Sequence, residues 1–176
     1  MKEIYINYSR SIIDSLDLSP GWSHAVYVIV SLLLIVVISF IFWWISRNIL
    51  LLIVHAFAVK SKTKFDDFLV ENRFFSAAAN LVPLFFMEFF IVTAFIYSPK
   101  VSDFLIRFVD IAIIIVITIA IFRALNSVRD TIKVKEKYKD KPIESYFQLG
   151  KILIGGFFLL LSFSVLFNIT LSYLFT

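Results

Sequence analysis

Hydrophobic positions gather into four long runs, at residues 25–46, 75–97, 104–122 and 152–175, with most charged residues collected between them. Each run is close to or above the roughly 20 helical residues needed to cross a bilayer's hydrocarbon core. In lipid the backbone satisfies its hydrogen bonds only as helix or closed barrel, and these runs lack the short apolar–polar alternation of barrel strands. The pattern predicts an all-α membrane protein, a polytopic bundle of four transmembrane helices. Residues 1–21 form a short N-terminal segment ahead of a transmembrane domain at 22–176.

The basic residues alternate between loops. The first loop carries Arg47, Lys60, Lys62, Lys64 and Arg73, and the second only Lys100. The third carries Arg123, Arg129, Lys133, Lys135, Lys137, Lys139 and Lys141, with Lys151 just beyond. Basic loops stay cytoplasmic. Loops one and three are therefore expected inside, with both termini extracytoplasmic and residues 1–21 periplasmic. Trp22 and the Trp43–Trp44 pair bracket the first run at a separation of about 30 Å of helical rise, as interfacial aromatics do.

Composition narrows the chemistry. Hydrophobic residues make up 60% of the chain and mean hydropathy is +0.91, which argues against a soluble domain. Cysteine is absent, so disulfides and thiolate chemistry are excluded. Twenty-one phenylalanines against four glycines suit bulky lipid-facing surfaces better than tight helix seams. The net charge of +4 gathers beside the membrane runs, where it sets topology, and does not point to nucleic acid.

Four local patterns stand out. In the first loop, Phe65, Phe68 and Leu69 fall near helical spacing, with Asp66, Asp67 and Arg73 on other faces. That is the pattern of a short amphipathic helix on the cytoplasmic interface, and equally of a hairpin linker. In the second run, Pro83 removes a backbone donor and is expected to bend the span, while Glu88 lies near mid-depth. In the third, Arg107 and Asp110 stand at i, i+3. Glu88, Arg107 and Asp110 are a candidate helix-orienting ion pair, with Arg107 reaching Glu88. In the fourth, Gly155 and Gly156 mark a candidate hinge or contact point for another helix.

Enzymatic motifs are missing. No phosphate loop, dinucleotide fingerprint or HExxH occurs, and His24 and His55 are too far apart in the chain to suggest a metal site. The reading is therefore of a non-enzyme without cofactor or metal, whose partners are membrane lipids. Nor does any run carry the small or polar stripe expected of a pore-lining helix.

Two segments carry a family likeness. KTKFDDFLVENRFFSAAANLVP, residues 62–83, resembles the cytoplasmic turn and following helix of the miniconductance (YbdG-like) branch of the MscS mechanosensitive channel superfamily. The likeness rests on Asp66-Asp67-x-Leu69, Arg73-Phe74 and Leu81-x-Pro83. KPIESYFQLGKILIGG, residues 141–156, resembles the opening of that branch's fourth helix through Pro142, Gln148 and Lys151. The resemblance implies a homo-heptameric channel of the bacterial cytoplasmic (inner) membrane that releases ions and solutes on hypoosmotic shock. It further implies that the four spans form a sensor paddle, that Gly155 and Gly156 meet the pore helix, and that the pore helix and cytoplasmic domain lie beyond Thr176. Two other readings fit the hydropathy: a fragment of a secondary transporter, which would gain from an inverted repeat and a broken mid-membrane helix, and a non-transporting four-helix scaffold.

Overall fold

The computed structural model describes residues 11, 20–60, 64–96, 98–135 and 142–169, with the backbone alone at 20–24 and 51–60. Most of the expected N-terminal segment and positions 170–175 of the fourth predicted span lie outside the described residues. Six helices are considered: α1 (Pro20–Lys60), α2 (Lys64–Glu71), α3 (Phe74–Ala79), α4 (Leu81–Ala94), α5 (Pro99–Lys133) and α6 (Ile143–Phe167). Four stretches are long and apolar enough to span a membrane: Ala25–Leu50 in α1, Phe74–Ala94 across α3 and α4, α5 and α6. The protein is thus an all-helical, multi-pass membrane protein.

The helices stand in an open row. Helix α1 packs on α3 and α4, α4 packs on α5, and α5 packs on α6, while α1 and α6 occupy the two ends without substantial packing between them. The hydrophobic runs implied a bundle or paddle of four spans without fixing whether it closes. In water a helix exposing two apolar faces would close up, but lipid tails are as apolar as leucine, so little drives closure.

The seams that join α1 to α3 and α4, and these with α2 to α5, are built largely from small residues. Ser31, Ser39, Ala77, Ala79, Ala94, Ser102, Ala120 and Ser127 are all buried. Short side chains let backbones approach and recover dispersion energy that lipid contact would not supply. The few large residues among them, Ile35, Ile91, Phe95, Val109 and Ile113, fill the remaining space. Serine and alanine thus do here what the scarcity of glycine argued against. On α5 the buried positions Ser102, Val109, Ile113, Ala120 and Ser127 follow steps of seven and four, one stripe along the helix.

Three boundaries differ from the hydropathy. The second span breaks at Asn80, three residues before Pro83. Proline has no N–H to offer the Ala79 carbonyl, and the Asn80 N–H turns back to the Ala77 carbonyl at 3.1 Å. The third span continues eleven residues beyond Phe122, so the first eight residues of the expected loop at 126–142, as far as Lys133, are helix. The fourth helix starts at Ile143, nine residues before its apolar run, and ends on Asn168. Asn168 takes the left-handed conformation (φ 54°) and the Ile169 N–H returns to the Ser164 carbonyl, a common helix stop. At 1.5 Å per residue, 35-residue α5 is about 52 Å long against a hydrocarbon core of about 30 Å. Its last turns therefore stand clear of the apolar layer.

Candidate functional site

The chain's polar contacts concentrate where α2, the start of α3, the end of α5 and the start of α6 meet. We call this the basic end of the row. Helix α2 begins with Asp66 and Asp67 in its first turn, where carboxylates favour the helix dipole. It ends at Glu71, and Arg73 adopts the left-handed conformation (φ 56°) that reverses the chain into α3. Arg73 is therefore a hinge residue, not part of the amphipathic face with Phe65, Phe68 and Leu69. Those three side chains are half-buried, and α2 packs against α5.

Three hydrogen bonds hold the α2–α3 corner to α5. The Ser127 hydroxyl, fully buried, donates to the Phe68 carbonyl at 2.9 Å. Asn72 Nδ2 donates to Asp130 Oδ2 at 3.0 Å. Arg123 Nη1 donates to the Arg73 carbonyl at 2.8 Å. The Phe68 and Arg73 carbonyls also accept the backbone N–H groups of Asn72 and Ala77, so the Ser127 and Arg123 side chains use the second lone pair of each carbonyl to tie the corner to α5.

The same stretch of α5 holds α6 through charge. Arg129 Nη2 lies 2.8 Å from Asp130 Oδ1 and its Nη1 lies 3.9 Å from Glu144 Oε1. Lys133 Nζ reaches Glu144 Oε2 at 3.3 Å, and Lys151 donates to the Asn126 side-chain carbonyl. Asp130 therefore serves both sides, accepting from Asn72 on one and pairing with Arg129 on the other.

Along the middle of α5 and α6 the contact is open. A groove of about 400 Å³ runs between them, with Ile115, Thr118 and Phe122 on one wall and Gly155, Phe158 and Ser162 on the other. The Thr118 and Ser162 hydroxyls donate to their own helices' Ile114 and Phe158 carbonyls, leaving the groove surface apolar. The two glycines separate here. A side chain on Gly155 would meet the Phe122 ring at 3.2 Å, whereas one on Gly156 would meet nothing within 4 Å. Gly155 admits α5, and Gly156 faces away from the groove's tight point.

The intramembrane acids and bases do not come together. Glu88, Arg107 and Asp110 are each half-buried, and no ion pair joins Glu88 to Arg107. Helical phase explains this. Arg107 lies five residues after buried Ser102, about 140° around α5 from the stripe that meets α4. At the end of the row opposite the basic end, α1 and α4 meet through neutral contacts: the Tyr27 hydroxyl donates to the Ala94 carbonyl, and its ring meets Phe95 edge-on at 6.2 Å. Trp43 also departs from a purely interfacial role, since its Nε1 donates to Asn80 Oδ1 at 2.9 Å across to the α3–α4 break.

A second cavity, of about 300 Å³, opens between α1 and the α2–α3 corner. Arg47, Arg73 and Ser76 contribute its polar groups and Leu50, Phe75 and Ala79 are among its apolar walls. The Arg47 guanidinium lies 5.4 Å over the Trp43 ring.

Asn72, Asn126, Asp130 and Glu144 are functional candidates that hydropathy passed over. One signal was present: the small-residue stripe of α5 continues in phase through Ala120 to Ser127, past the end of the apolar run. Among the described residues no three His, Cys, Asp or Glu side chains gather as metal ligands would. Comparison with known proteins returned no matching family model, no matching curated protein and no matching solved structure.

Proposed function

We propose that this chain is the tension-sensing transmembrane part of a mechanosensitive channel of the inner bacterial membrane, releasing ions and solutes on hypoosmotic shock. The observation that carries the reading is the open row. Both of its faces present large apolar side chains: Leu33 and Phe40 on α1, Phe89 on α4, and Ile152 and Leu153 on α6 are each more than half exposed. Membrane tension favours whichever state occupies more area, and a flat, lipid-coated row couples to that change through its whole surface. The segments resembling the miniconductance branch of the MscS superfamily fall on α2–α4 and the start of α6, which are the parts tied together at the basic end.

In this reading the basic end faces the cytoplasm, as lysine and arginine placement requires. A homo-heptamer supplies the conduit, and the exposed side of α6 carrying Gly156 meets the pore helix. The break at Asn80 lies one turn and a half from the start of the second span, not at mid-depth, so it lends nothing to a transporter. The test is patch-clamp recording of the complete gene product in liposomes. Current that rises with applied tension is expected; silence up to the lytic limit would overturn the proposal.

A further inference from the structure

We propose that the cavity between α1 and the α2–α3 corner binds the headgroup of an anionic phospholipid. The inference stands apart from tension sensing and would survive its failure.

Charge accounting singles out this place. At the same end of the row, Arg129 and Lys133 are neutralised by Asp130 and Glu144. Arg47 and Arg73 both line the second cavity, no carboxylate lines it with them, and neither forms an ion pair among the described residues. Arg123 lies outside the lining but brings a further positive charge to its edge, held against the Arg73 carbonyl. Two arginines lining one concavity with no carboxylate are electrostatically incomplete, and a phosphate supplies what is missing with bidentate geometry.

The shape favours a lipid over a soluble anion. A volume of about 300 Å³ lies at the small end of ligand pockets, enough for a phosphoglycerol group. Ser76 offers a hydroxyl beside the cations, while Leu50 and Phe75 form an apolar wall. Leu50 closes the apolar stretch of α1 and Phe75 lies at the start of the second span, so the wall continues toward the acyl layer. Arg47 is oriented by its stacking on Trp43, which is itself fixed by Asn80. The ligand class is therefore a phosphatidylglycerol-like lipid, with its phosphate on the arginines and its chains along the wall.

Native mass spectrometry of the purified protein with equimolar phosphatidylglycerol and phosphatidylcholine tests this. Each basic residue at a membrane surface contributes about a fivefold preference for anionic lipid, so wild type, with two, should retain phosphatidylglycerol over phosphatidylcholine by about 25-fold. Arg47→Gln and Arg73→Asn should each lose about fivefold, and the double variant should bind both lipids alike. Asparagine suits the left-handed backbone at position 73, so Arg73→Asn keeps the corner folded. Lys135→Gln, which removes an exposed charge from the same end outside the cavity, should leave the preference intact. Absence of preference in wild type, its survival in the double variant, or an equal loss in Lys135→Gln would overturn the proposal. So would displacement of bound lipid by equimolar glycerol 3-phosphate, which would mark a site for a soluble anion.

Discussion

The two seams that flank α5 are made differently. Against α4 it presents a continuous stripe of buried positions, and Phe95 beside it is wholly buried. Against α6, the helix it meets over the greatest length, it presents an apolar groove, a close approach at Gly155 and a cluster of charged side chains at one end. Apart from Ile143, no residue of α6 is buried. One seam is buried, and the other is long, grooved and pinned by charge at its basic end. Where hydrophobic transfer gives little, as between helices in lipid, close packing and polar pins are what remain to fix a structure, and this molecule uses them on opposite sides of one helix.

The largest expected effect comes from breaking the buried seam. Phe95→Ala should destabilise the protein by about 2 kcal/mol, less than the roughly 3–5 kcal/mol typical of water-soluble cores because lipid removes much of the transfer contribution. Denaturant unfolding from mixed micelles measures it, and a loss below about 0.5 kcal/mol would show that the seam is not packed as described.

Next is Asp130→Ala, which removes the acceptor shared by Asn72 and Arg129 and leaves them only the Phe68 carbonyl and the more distant Glu144. Loss of a charge-assisted acceptor costs about 1–3 kcal/mol. The effect should be local: amide hydrogen exchange should speed up in α2 and at the start of α6 and stay unchanged in α4. Uniform acceleration would mean that the network is no separate pin.

Gly155→Ala should be smaller, at about 1 kcal/mol, because the added methyl displaces the end of one Phe122 ring by a few tenths of an ångström. Phe122→Leu in the same chain should restore it. Gly156→Ala, with open space around it, should instead gain the helix propensity that glycine lacks in an isolated chain, and lose stability wherever another helix covers that face. Thermal melting in detergent and in the assembled form separates these cases.

Glu144→Gln should have the least effect. Its side chain is 58% exposed and its contacts to Lys133 and Arg129 are water-accessible, so about 0.5 kcal/mol or less is at stake and should vanish in high salt. A larger, salt-resistant loss would make this charged contact much stronger than its exposure suggests.

Four spans were legible because apolar runs of 19 to 24 residues admit few other structures in lipid. Their arrangement was not, for a physical reason. Amphipathic periodicity separates core from water, and a helix surrounded by lipid has no water to mark its outer face. What marks the inner face here is residue size, visible in Ser31, Ser39, Ala94, Ser102, Ala120 and Ser127 once their helical phase is followed. The ends of α5 and α6 were misplaced because a helix stops where its backbone runs out of partners, at Lys133 and Asn168, and not where its side chains cease to be apolar. The basic end was half legible. Asp66 and Asp67 fell on a short helix as their spacing suggested, but Asp130 lay in what hydropathy described as loop, and Glu144 stood ahead of the fourth apolar run.

The length of α5 carries a mechanical corollary. A rigid rod of about 52 Å that tilts by about 10° around its far tip sweeps its near tip through roughly 9 Å. Asn72, Arg73 and Phe68 are bonded to its last turns, so the α2–α3 corner is carried along that arc. A modest lean inside the bilayer thereby becomes a displacement about as wide as a helix just outside it.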